Sequence, residues 1–240
     1  MKSESMKSKQ FKFKQFSIDG KQCGMPVSTD GVLLGAWAFT QPPKRILDIG
    51  SGTGLLSLMC AQRFTQAHIY AVDIEPMAFS TTTHNVATSP WQERIEVQQQ
   101  DILTYSYTTR FDGIICNPPY FTSGEMAHSY QRALARHTQT LTHPNLIQRL
   151  SDLLTDEGRA CFILPIQEGE AFIQLAQQHG WHLQRLCEVR PSSSKQAHRL
   201  LFELGTEMNE VEQSQLTIHT QNGYSEDFIA LTRDFYLKMK

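Results

Sequence analysis

The chain has 240 residues, of which 40% are hydrophobic and 19% charged, and its formal net charge is −2 at pH 7. This composition is ordinary for a globular protein, and the length is sufficient for one full core. A net charge this close to zero excludes attraction of the whole molecule to a polyanion, so a nucleic-acid partner would need local basic patches. No apolar run approaches the ~18 residues that a membrane helix needs.

The cysteines indicate the compartment. All five are far apart and no CxxC pair occurs, so the sequence predicts neither a zinc knuckle nor a disulfide framework. Free thiols inside apolar runs behave as small hydrophobic residues, which suits a reducing environment. The charged N-terminus is not followed by an apolar stretch of signal-peptide length. We therefore expect a cytoplasmic protein, without a metal, and we favour a monomer.

The N-terminal part, residues 1–44, is predicted to be a basic arm followed by a cap on the main domain. Phenylalanines alternate with lysine and glutamine over residues 11–16, which indicates a short strand, and a small hairpin with residues 22–27 is expected. Residues 28–30, Ser-Thr-Asp, then cap a helix over residues 31–39.

Strands and helices alternate through residues 45–205, which we predict to be the main domain. The predicted strands span residues 45–49, 68–74, 94–101, 111–116, 160–164, 183–189 and 199–204. Alternation of this kind predicts a mostly parallel, doubly wound α/β sheet of seven strands with helices on both faces. The last two strands have no helix between them and should form an antiparallel hairpin. Residues 206–240 are predicted to be a C-terminal extension packed on the same domain, with a short strand and a final helix.

A glycine-rich stretch, DIGSGTG at residues 48–54, lies where the first of these strands meets its helix. Glycine lets the backbone turn tightly and lets a ligand touch it. The spacing of Gly50, Gly52 and Gly54 is not the GxGxxG of dinucleotide sites, and no phosphate-loop lysine follows. Asp48 is expected to face the pocket instead, where it would suit a cationic amino-acid ligand. The alternative is a purely structural turn.

Two further acids end the next two strands. Asp73 follows the glycines by about twenty residues, where a carboxylate accepts both hydroxyls of a ribose. Asp101 is placed to receive an exocyclic amine or a ring nitrogen. Taken alone, Asp73 could be an N-cap of the following helix and Asp101 could be a turn residue. Together with the glycines and Asp48, however, they predict a cofactor site for S-adenosylmethionine.

The fourth strand ends in Asn117-Pro118-Pro119-Tyr120. Proline lacks an N–H and fixes φ, so this stretch cannot continue a ladder and forms a rigid loop instead. Ligands of open α/β sheets bind just outside the carboxyl ends of the strands, where this loop is expected. We expect the Asn117 side-chain oxygen and the Pro118 carbonyl to accept hydrogen bonds from an aryl amine, and Tyr120 to stack on its ring. Asn117 should also border the cofactor. The alternative is a rigid turn with a buried tyrosine.

Positive charge is concentrated in residues 1–14, 126–151 and 183–199, although the whole chain is slightly acidic. Local patches of this kind can bind phosphates. The residues expected to contact RNA are Lys9, Lys12, Lys14, Arg132, Arg136 and Lys195.

Several other residues invite functional interpretations that we do not favour. His128, His137 and His143 have no carboxylate or cysteine at ligand spacing, so we expect a solvated or nucleic-acid-facing surface there. The aromatic residues Tyr105, Tyr107 and Trp37 are expected to pack inside the protein.

Several stretches, taken together, are similar to a known family. The stretches at residues 48–54 and 117–120 resemble class I S-adenosylmethionine-dependent methyltransferases that modify amino nitrogens. The flanks FKFKQF at 11–16, TDGVLLGAW at 29–37 and DFYL at 234–237 look like the bacterial tRNA1(Val) (adenine-37-N6)-methyltransferase family. The resemblance then covers nearly the whole chain. It implies a Rossmann-like methyltransferase fold and methylation of adenine N6 beside the anticodon of a valine tRNA.

The resemblance also implies roles for individual residues. The segment around Thr29 would close over the methionine end of the cofactor, and the three glycines would contact it. Asp73 would hold the ribose and Asp101 would meet the adenine.

Other functions stay open on the residues alone, because the Asn-Pro-Pro-Tyr pattern indicates a planar amine and nothing narrower. The same chemistry could act on guanine N2 of rRNA or on a protein glutamine amide. A third possibility is a nucleic-acid-binding module that retains the fold without catalysis. A nicotinamide dehydrogenase is disfavoured by the glycine spacing.

Overall fold

The computed structural model of the chain describes residues 10–20, 27–118 and 141–239. In these ranges a nine-stranded mixed sheet forms the centre, and a separate two-stranded sheet precedes it. The strands in chain order are β1 (Phe11–Lys12), β2 (Ser17–Ile18), β3 (Arg45–Ile49), β4 (His68–Asp73), β5 (Ile95–Gln99), β6 (Phe111–Cys116), β7 (Leu154–Pro165), β8 (His182–Ser192), β9 (Arg199–Gly205), β10 (Glu212–Thr220) and β11 (Gly223–Tyr224).

The helices cover both faces of this sheet. They are α1 (Thr29–Trp37), α2 (Leu55–Arg63), α3 (Pro76–Ala87), α4 (His143–Leu153), α5 (Ile166–Gln178) and α6 (Glu226–Thr232), with one 3₁₀ turn at Gln92–Arg94. None of the helices within the described residues is both long and apolar enough to cross a membrane.

The order of strands across the large sheet is β11-β10-β8-β9-β7-β6-β3-β4-β5. The predicted doubly wound sheet is confirmed in the seven strands from β8 to β5. Strand β9 lies between β7 and β8 and is antiparallel to both, which is the predicted hairpin. The C-terminal extension adds two strands that the sequence did not assign to this sheet, because β10 pairs in parallel with the outer edge of β8. This pairing covers backbone groups that an edge strand would otherwise expose.

The two faces of the sheet carry separate apolar layers. Ile46 and Ile115 belong to the layer with α1, α2 and α6, whereas Leu47 and Ile114 belong to the layer with α4 and α5. Successive side chains of a strand point to opposite faces. Strands buried on both sides therefore read as nearly continuous apolar runs, as β3 and β6 do.

The N-terminal arm packs against the end of the chain. β1 pairs with Ser17–Ile18, and the hairpin expected with residues 22–27 stays a prediction, because residues 21–26 lie outside the described ranges. Phe13 forms a bridge with Tyr236, and the amide of Lys14 donates to the Phe235 carbonyl at 2.8 Å. The division of the chain at residues 44 and 205 stays our proposal, with both flanks packed on one sheet.

Helix α1 is held closely at both ends. The Ser28 hydroxyl caps it by accepting the Gly31 amide at 3.0 Å, so the helix begins at Thr29, two residues earlier than predicted. Gly35 allows α2 to approach, because a Cβ there would lie 2.6 Å from Met59 Sδ. At the other end, the Arg63 guanidinium donates to three carbonyls of residues 35, 38 and 39, which a helix terminus leaves unsatisfied.

Candidate active site

The parallel sheet brings four of the predicted groups together at the carboxyl ends of its strands, which we call the carboxyl edge of the sheet. Ile49 of β3 pairs with Val72 of β4 on one side and with Cys116 of β6 on the other. Gly50, Asp73 and Asn117 therefore leave three neighbouring strands at nearly the same level. Asp101 follows β5, the next strand along, two residues after its end at Gln99. This edge is where open α/β sheets bind ligands.

The glycine turn has a backbone that other residues rarely adopt. Gly50, Gly52 and Gly54 have φ angles of 74°, 58° and 77°, in the left-handed region that costs an L-residue roughly 1–2 kcal/mol. A Cβ at Gly50 would meet no atom of the described residues within 4 Å, whereas one at Gly54 would lie 3.1 Å from Thr82 Cγ2. The turn is thus open for a ligand at Gly50, and at Gly54 it is closed by packing against α3.

Asp48 lies beneath this turn, in a different environment from the one predicted. Its side chain is completely buried, so it does not face an open pocket. Oδ2 accepts hydrogen bonds from the Ser57 amide at 3.0 Å and the Ser57 hydroxyl at 2.6 Å. The carboxylate thereby caps α2, whose N-cap residue Gly54 has no side chain to do so.

The burial of Asp48 has an electrostatic consequence. Loss of hydration raises its pKa to about 7, an effect that the Ser57 hydrogen bonds oppose and the neighbouring Asp73 reinforces. Oδ1 is buried and has no hydrogen-bond partner among the described residues. A cation or a hydrogen-bond donor that approaches would stabilise this buried carboxylate, because one of its oxygens lacks a partner in the described chain.

Asp73 joins the end of β4 to the glycine turn. Oδ2 accepts the amide of Gly52 at 2.9 Å, and Oδ1 accepts the amide of Glu75 at 3.0 Å. Glu75 is the N-cap residue of α3. Asp73 is therefore not the N-cap considered as its alternative role, but its carboxylate binds the amide of the residue that is. The same bonds also fix the direction of the carboxylate at the sheet edge.

Asp101 also forms a local turn. Its Oδ1 accepts the Leu103 amide at 2.9 Å, as an Asp side chain does in an Asx turn. The preceding residue, Gln100, donates its amide to the Asp73 carbonyl at 3.1 Å. This bond keeps the ends of β4 and β5 together, so Asp101 remains beside Asp73 at the edge of the sheet.

Asn117 is the polar side chain at the end of β6. Its Oδ1 is buried and has no hydrogen-bond partner within the described part of the chain, although buried acceptors are nearly always paired in folded proteins. Pro118 is buried beside it, whereas Pro119 and Tyr120 lie outside the described residues, and with them the predicted ring stacking. A hydrogen-bond donor from a ligand would satisfy the Asn117 oxygen.

The residue after the cap of α1, Thr29, is exposed, while its neighbour Asp30 makes a contact that the sequence did not predict. Asp30 Oδ2 accepts a hydrogen bond from Arg199 Nε at 2.7 Å. Arg199 had been placed in a basic patch for nucleic acid. No local sequence signal could have revealed this pairing, because 169 positions separate the two residues.

The predicted RNA-binding residues that lie within the described ranges do not come together. Lys195 is exposed in the turn between β8 and β9, at the same edge of the sheet as Asn117. Lys12 is exposed on β1, but Lys14 Nζ donates to the carbonyls of Arg233 at 2.6 Å and Met239 at 3.1 Å. Lys9, Arg132 and Arg136 lie outside the described residues.

Lys14 also lies far from the glycine turn, near the opposite end of α2. It lines a cleft of about 510 Å³ together with Gln62 and Arg63, at the end of α2 that points away from the glycine turn. The ammonium of Lys14 therefore has a structural role in holding the arm to the C-terminus, while its contact with RNA stays a prediction.

The other aromatic and histidine side chains mostly pack. Trp37 is buried with the Arg185 guanidinium 4.1 Å from its ring, and Tyr105 and Tyr107 pack edge to face at 4.7 Å, as predicted. His143 packs on Phe172 at 5.0 Å, and burial lowers its pKa, so it is not the solvated side chain that we expected.

Two of the three histidines, His128 and His137, lie outside the described ranges. The residues that the structure describes contain no cluster of histidine, cysteine and acidic side chains suited to a metal.

The chain is similar over its full length to proteins of known name. Residues 32–145 match the family model described as "Methyltransferase small domain". The chain is 57% identical to the tRNA1(Val) (adenine(37)-N6)-methyltransferase of Vibrio vulnificus (strain YJ016) and 56% identical to that of Vibrio campbellii, with complete coverage of both chains in each case. The protein of the same name from Aliivibrio fischeri (strain ES114) is 51% identical, over 97% of this chain and 99% of that one.

Solved structures are similar in fold at low sequence identity. A "predicted O-methyltransferase" from Agrobacterium tumefaciens superposes with a TM-score of 0.64 and 17% identity, covering 86% of this chain and 96% of that one. The glycopeptide N-methyltransferase MtfA, solved with S-adenosylmethionine, gives a TM-score of 0.56 and 11% identity, covering 76% and 100%. At such identities the likeness concerns the fold, and it confirms the Rossmann-like methyltransferase architecture.

Proposed function

The chain belongs to the tRNA1(Val) (adenine(37)-N6)-methyltransferase family, and from this premise we propose that it transfers a methyl group from S-adenosylmethionine to N6 of adenine-37 in tRNA(Val). The observation that carries the proposal is Asn117 Oδ1, which is buried at the end of β6 beside the glycine turn and has no hydrogen-bond partner among the residues that the structure describes. An exocyclic amine supplies the hydrogen-bond donor that this acceptor lacks.

The residues around the glycine turn fit the cofactor. Gly50 leaves open space next to a tight turn, and Asp48 Oδ1 is a buried acceptor with no partner in the described chain. When bound, S-adenosylmethionine supplies a methyl group on a positively charged sulfur. We assign the negative charge of Asp48 to the cationic methionine end, from beneath the turn. We assign the ribose hydroxyls to Asp73, whose carboxylate is held in a fixed direction by the amides of Gly52 and Glu75.

Asn117 and Pro118 prepare the amine for transfer. The lone pair of an aryl amine is delocalised into its ring, which makes the nitrogen a weak nucleophile. Two acceptors held against its hydrogens, Asn117 Oδ1 and the Pro118 carbonyl, favour a pyramidal nitrogen whose lone pair is available. The rest of the catalysis is alignment of that nitrogen with the methyl group, and well-oriented reactants can account for ~7–11 kcal/mol of a barrier.

The tRNA substrate is reached at the same edge of the sheet. A base in an unpaired loop costs little to extrude compared with a base in a duplex. Lys195 lies exposed at this edge and would contact the phosphate backbone. We also propose a cytoplasmic monomer. The cysteines in the described residues are free and buried, which suits a reducing compartment that contains tRNA.

Nucleoside analysis of tRNA from cells that lack this protein tests the proposal directly. We expect N6-methyladenosine to disappear from tRNA(Val) and to return when the wild-type gene is restored, but not when an Asn117→Ala gene is supplied.

In vitro, the purified protein should methylate a tRNA(Val) anticodon stem-loop and not the same stem-loop with guanine at position 37. Methyl transfer to rRNA guanine or to a protein glutamine in place of tRNA would contradict the substrate assignment. Lack of S-adenosylmethionine binding would favour a non-catalytic module.

A further inference from the structure

The ion pair between Asp30 and Arg199 differs from the other ion pairs of the described chain in what it connects. The side chains are only 14% and 19% exposed, and Asp30 Oδ2 and Arg199 Nε are 2.7 Å apart. One residue lies in the first turn of α1 and the other is the first residue of β9. The pair therefore joins the N-terminal cap to the far half of the sheet.

Its position in the fold is at the edge that carries the candidate active site. Arg199 pairs with Pro165, the last residue of β7, so it lies at the carboxyl end of the parallel strands. Strand β7 is the direct neighbour of β6, which ends one residue before Asn117. Asp30 directly precedes Gly31, where a Cβ would lie 2.9 Å from Leu55 Cδ2, so the first turn of α1 packs beside the start of α2, directly after the glycine turn. The ion pair thus spans from the strand next to Asn117 to the segment next to the cofactor.

The rest of α1 is held without this ion pair. Gly31 and Gly35 pack the helix on α2, and the Arg63 guanidinium caps its C-terminal end. A mostly buried ion pair adds little net stability, because desolvation of the two charges offsets their attraction. What a short, directional Arg–carboxylate contact adds is orientation. Here the element that is oriented is the first turn of α1.

We propose that Arg199 is a positioning residue for the cofactor. Through Asp30 it holds the first turn of α1, with Thr29, against the sheet edge, so that the segment is seated before the cofactor arrives. The proposal rests on the proposed function only for the identity of the cofactor. The affinity for a ligand falls in proportion to the fraction of protein in the binding-competent arrangement. Loss of the ion pair therefore weakens cofactor binding by lowering the fraction of protein in which this segment is seated.

Isothermal calorimetry with S-adenosylmethionine alone tests this on the full-length protein. We expect Arg199→Ala to raise the cofactor Kd about tenfold, which corresponds to a seated fraction of about one tenth. Asp30→Asn, which nearly preserves the side-chain shape, should do the same. The double variant should be no worse than either single variant, because both break one interaction. Arg199→Lys keeps the charge but loses the planar geometry and should fall between wild type and Arg199→Ala.

A matched control separates positioning from general stability. Arg159 Nη2 forms an ion pair with Glu207 at the same 2.7 Å, towards the start of β7 and away from the site. Arg159→Ala should lower the thermal midpoint and leave the cofactor Kd unchanged. Wild-type affinity in Arg199→Ala or in Asp30→Asn would overturn the proposal, and so would an equal loss of affinity in Arg159→Ala. A wrong tRNA substrate would not alter this measurement, whereas failure of the wild type to bind the cofactor would overturn both proposals.

Discussion

The backbone amide of Gly52 donates a hydrogen bond to Asp73 Oδ2 at 2.9 Å, so the glycine turn after β3 and the acid that ends β4 form one unit. The second oxygen of the same carboxylate holds the start of α3 through the Glu75 amide. One side chain therefore sets the relative position of two ligand-facing segments. A change at Asp73 should affect cofactor binding and stability together, unlike most of the changes considered below.

Asp73→Asn should raise the Kd for S-adenosylmethionine by about tenfold or more, because hydrogen bonds to a charged group are worth about 1.5–3 kcal/mol and tenfold corresponds to 1.4 kcal/mol. Its thermal midpoint should also fall. The matched control is Asp112→Asn, since Asp112 Oδ2 accepts the amides of Lys44 and Arg45 at the other end of the sheet. That variant should lose stability and keep its cofactor affinity. An unchanged Kd in Asp73→Asn would contradict the ribose assignment.

Gly50→Ala should weaken cofactor binding more than its loss of stability explains. An alanine would be strained by the backbone φ of 74°, and its methyl group would occupy space in which no atom of the described residues lies within 4 Å. Gly180→Ala is a close control, because Gly180 has a φ of 84° and equally open space after α5. Both variants should lose about 1 kcal/mol of unfolding free energy, measured by urea titration. Equal cofactor affinity in the two would show that the open side of Gly50 is not the binding side.

Asn117→Ala should lower kcat for tRNA methylation by roughly 10²–10³, the usual cost of losing one hydrogen-bonding group that acts on the reacting centre. The Kd for S-adenosylmethionine should stay close to the wild-type value. Because Asn117 Oδ1 has no partner in the described protein, its removal should not lower the thermal midpoint. Single-turnover assays on the anticodon stem-loop would measure the chemical step. Wild-type turnover in this variant would exclude the proposed amine contact.

Asp48 should make both stability and cofactor binding depend on pH. Burial raises its pKa in the folded protein to about 7, from the 3.8 that is usual for an aspartate, so between these pH values the folded protein holds a proton that the unfolded chain has lost. Stability should therefore fall as pH rises from about 4 to 7, by at most about 1.4 kcal/mol per pH unit from this group. Asp48→Asn should flatten that part of the profile in urea titrations at a series of pH values.

A cationic ligand next to Asp48 favours the ionised carboxylate, so binding of S-adenosylmethionine should release a proton near neutral pH. Calorimetry in buffers of different ionisation enthalpy would measure this release. We expect affinity to rise from pH 6 to pH 8 in the wild type and to be nearly flat in Asp48→Asn. Proton release that persists in the variant would assign the effect to another group.

Substitutions at two lysines should distinguish a role in RNA binding from a role in the stability of the fold. Lys195→Ala should weaken tRNA binding and reduce the slope of log K against log salt by about one, as expected for the loss of one phosphate contact. Lys14→Ala should lower the thermal midpoint, since its ammonium holds the carbonyls of Arg233 and Met239, and should leave the salt slope unchanged. Salt-dependent binding measurements would decide, and the reverse pattern would return Lys14 to the RNA surface.

Most of the sheet and of the candidate site could be predicted from sequence, for a local reason. Continuous apolar runs mark strands buried on both faces, and polar residues after them mark strand ends. Once Gly50, Asp73 and Asn117 are placed after parallel strands, topology brings them to one edge. The same logic missed the environment of Asp48, because the lack of a side chain at Gly54 leaves the cap of α2 to a residue of the preceding strand.

The sequence by itself determined the alternation of strands and helices, the glycine turn and the acids and amide at the strand ends, since each depends on neighbours in the chain. Only the tertiary structure decided how distant charges pair and where the flanks go. It placed β10 on the edge of β8, held Lys14 at the C-terminus and joined Asp30 to Arg199. Such contacts depend on distance in space between residues far apart in sequence. Local propensity and spacing carry no information about that distance.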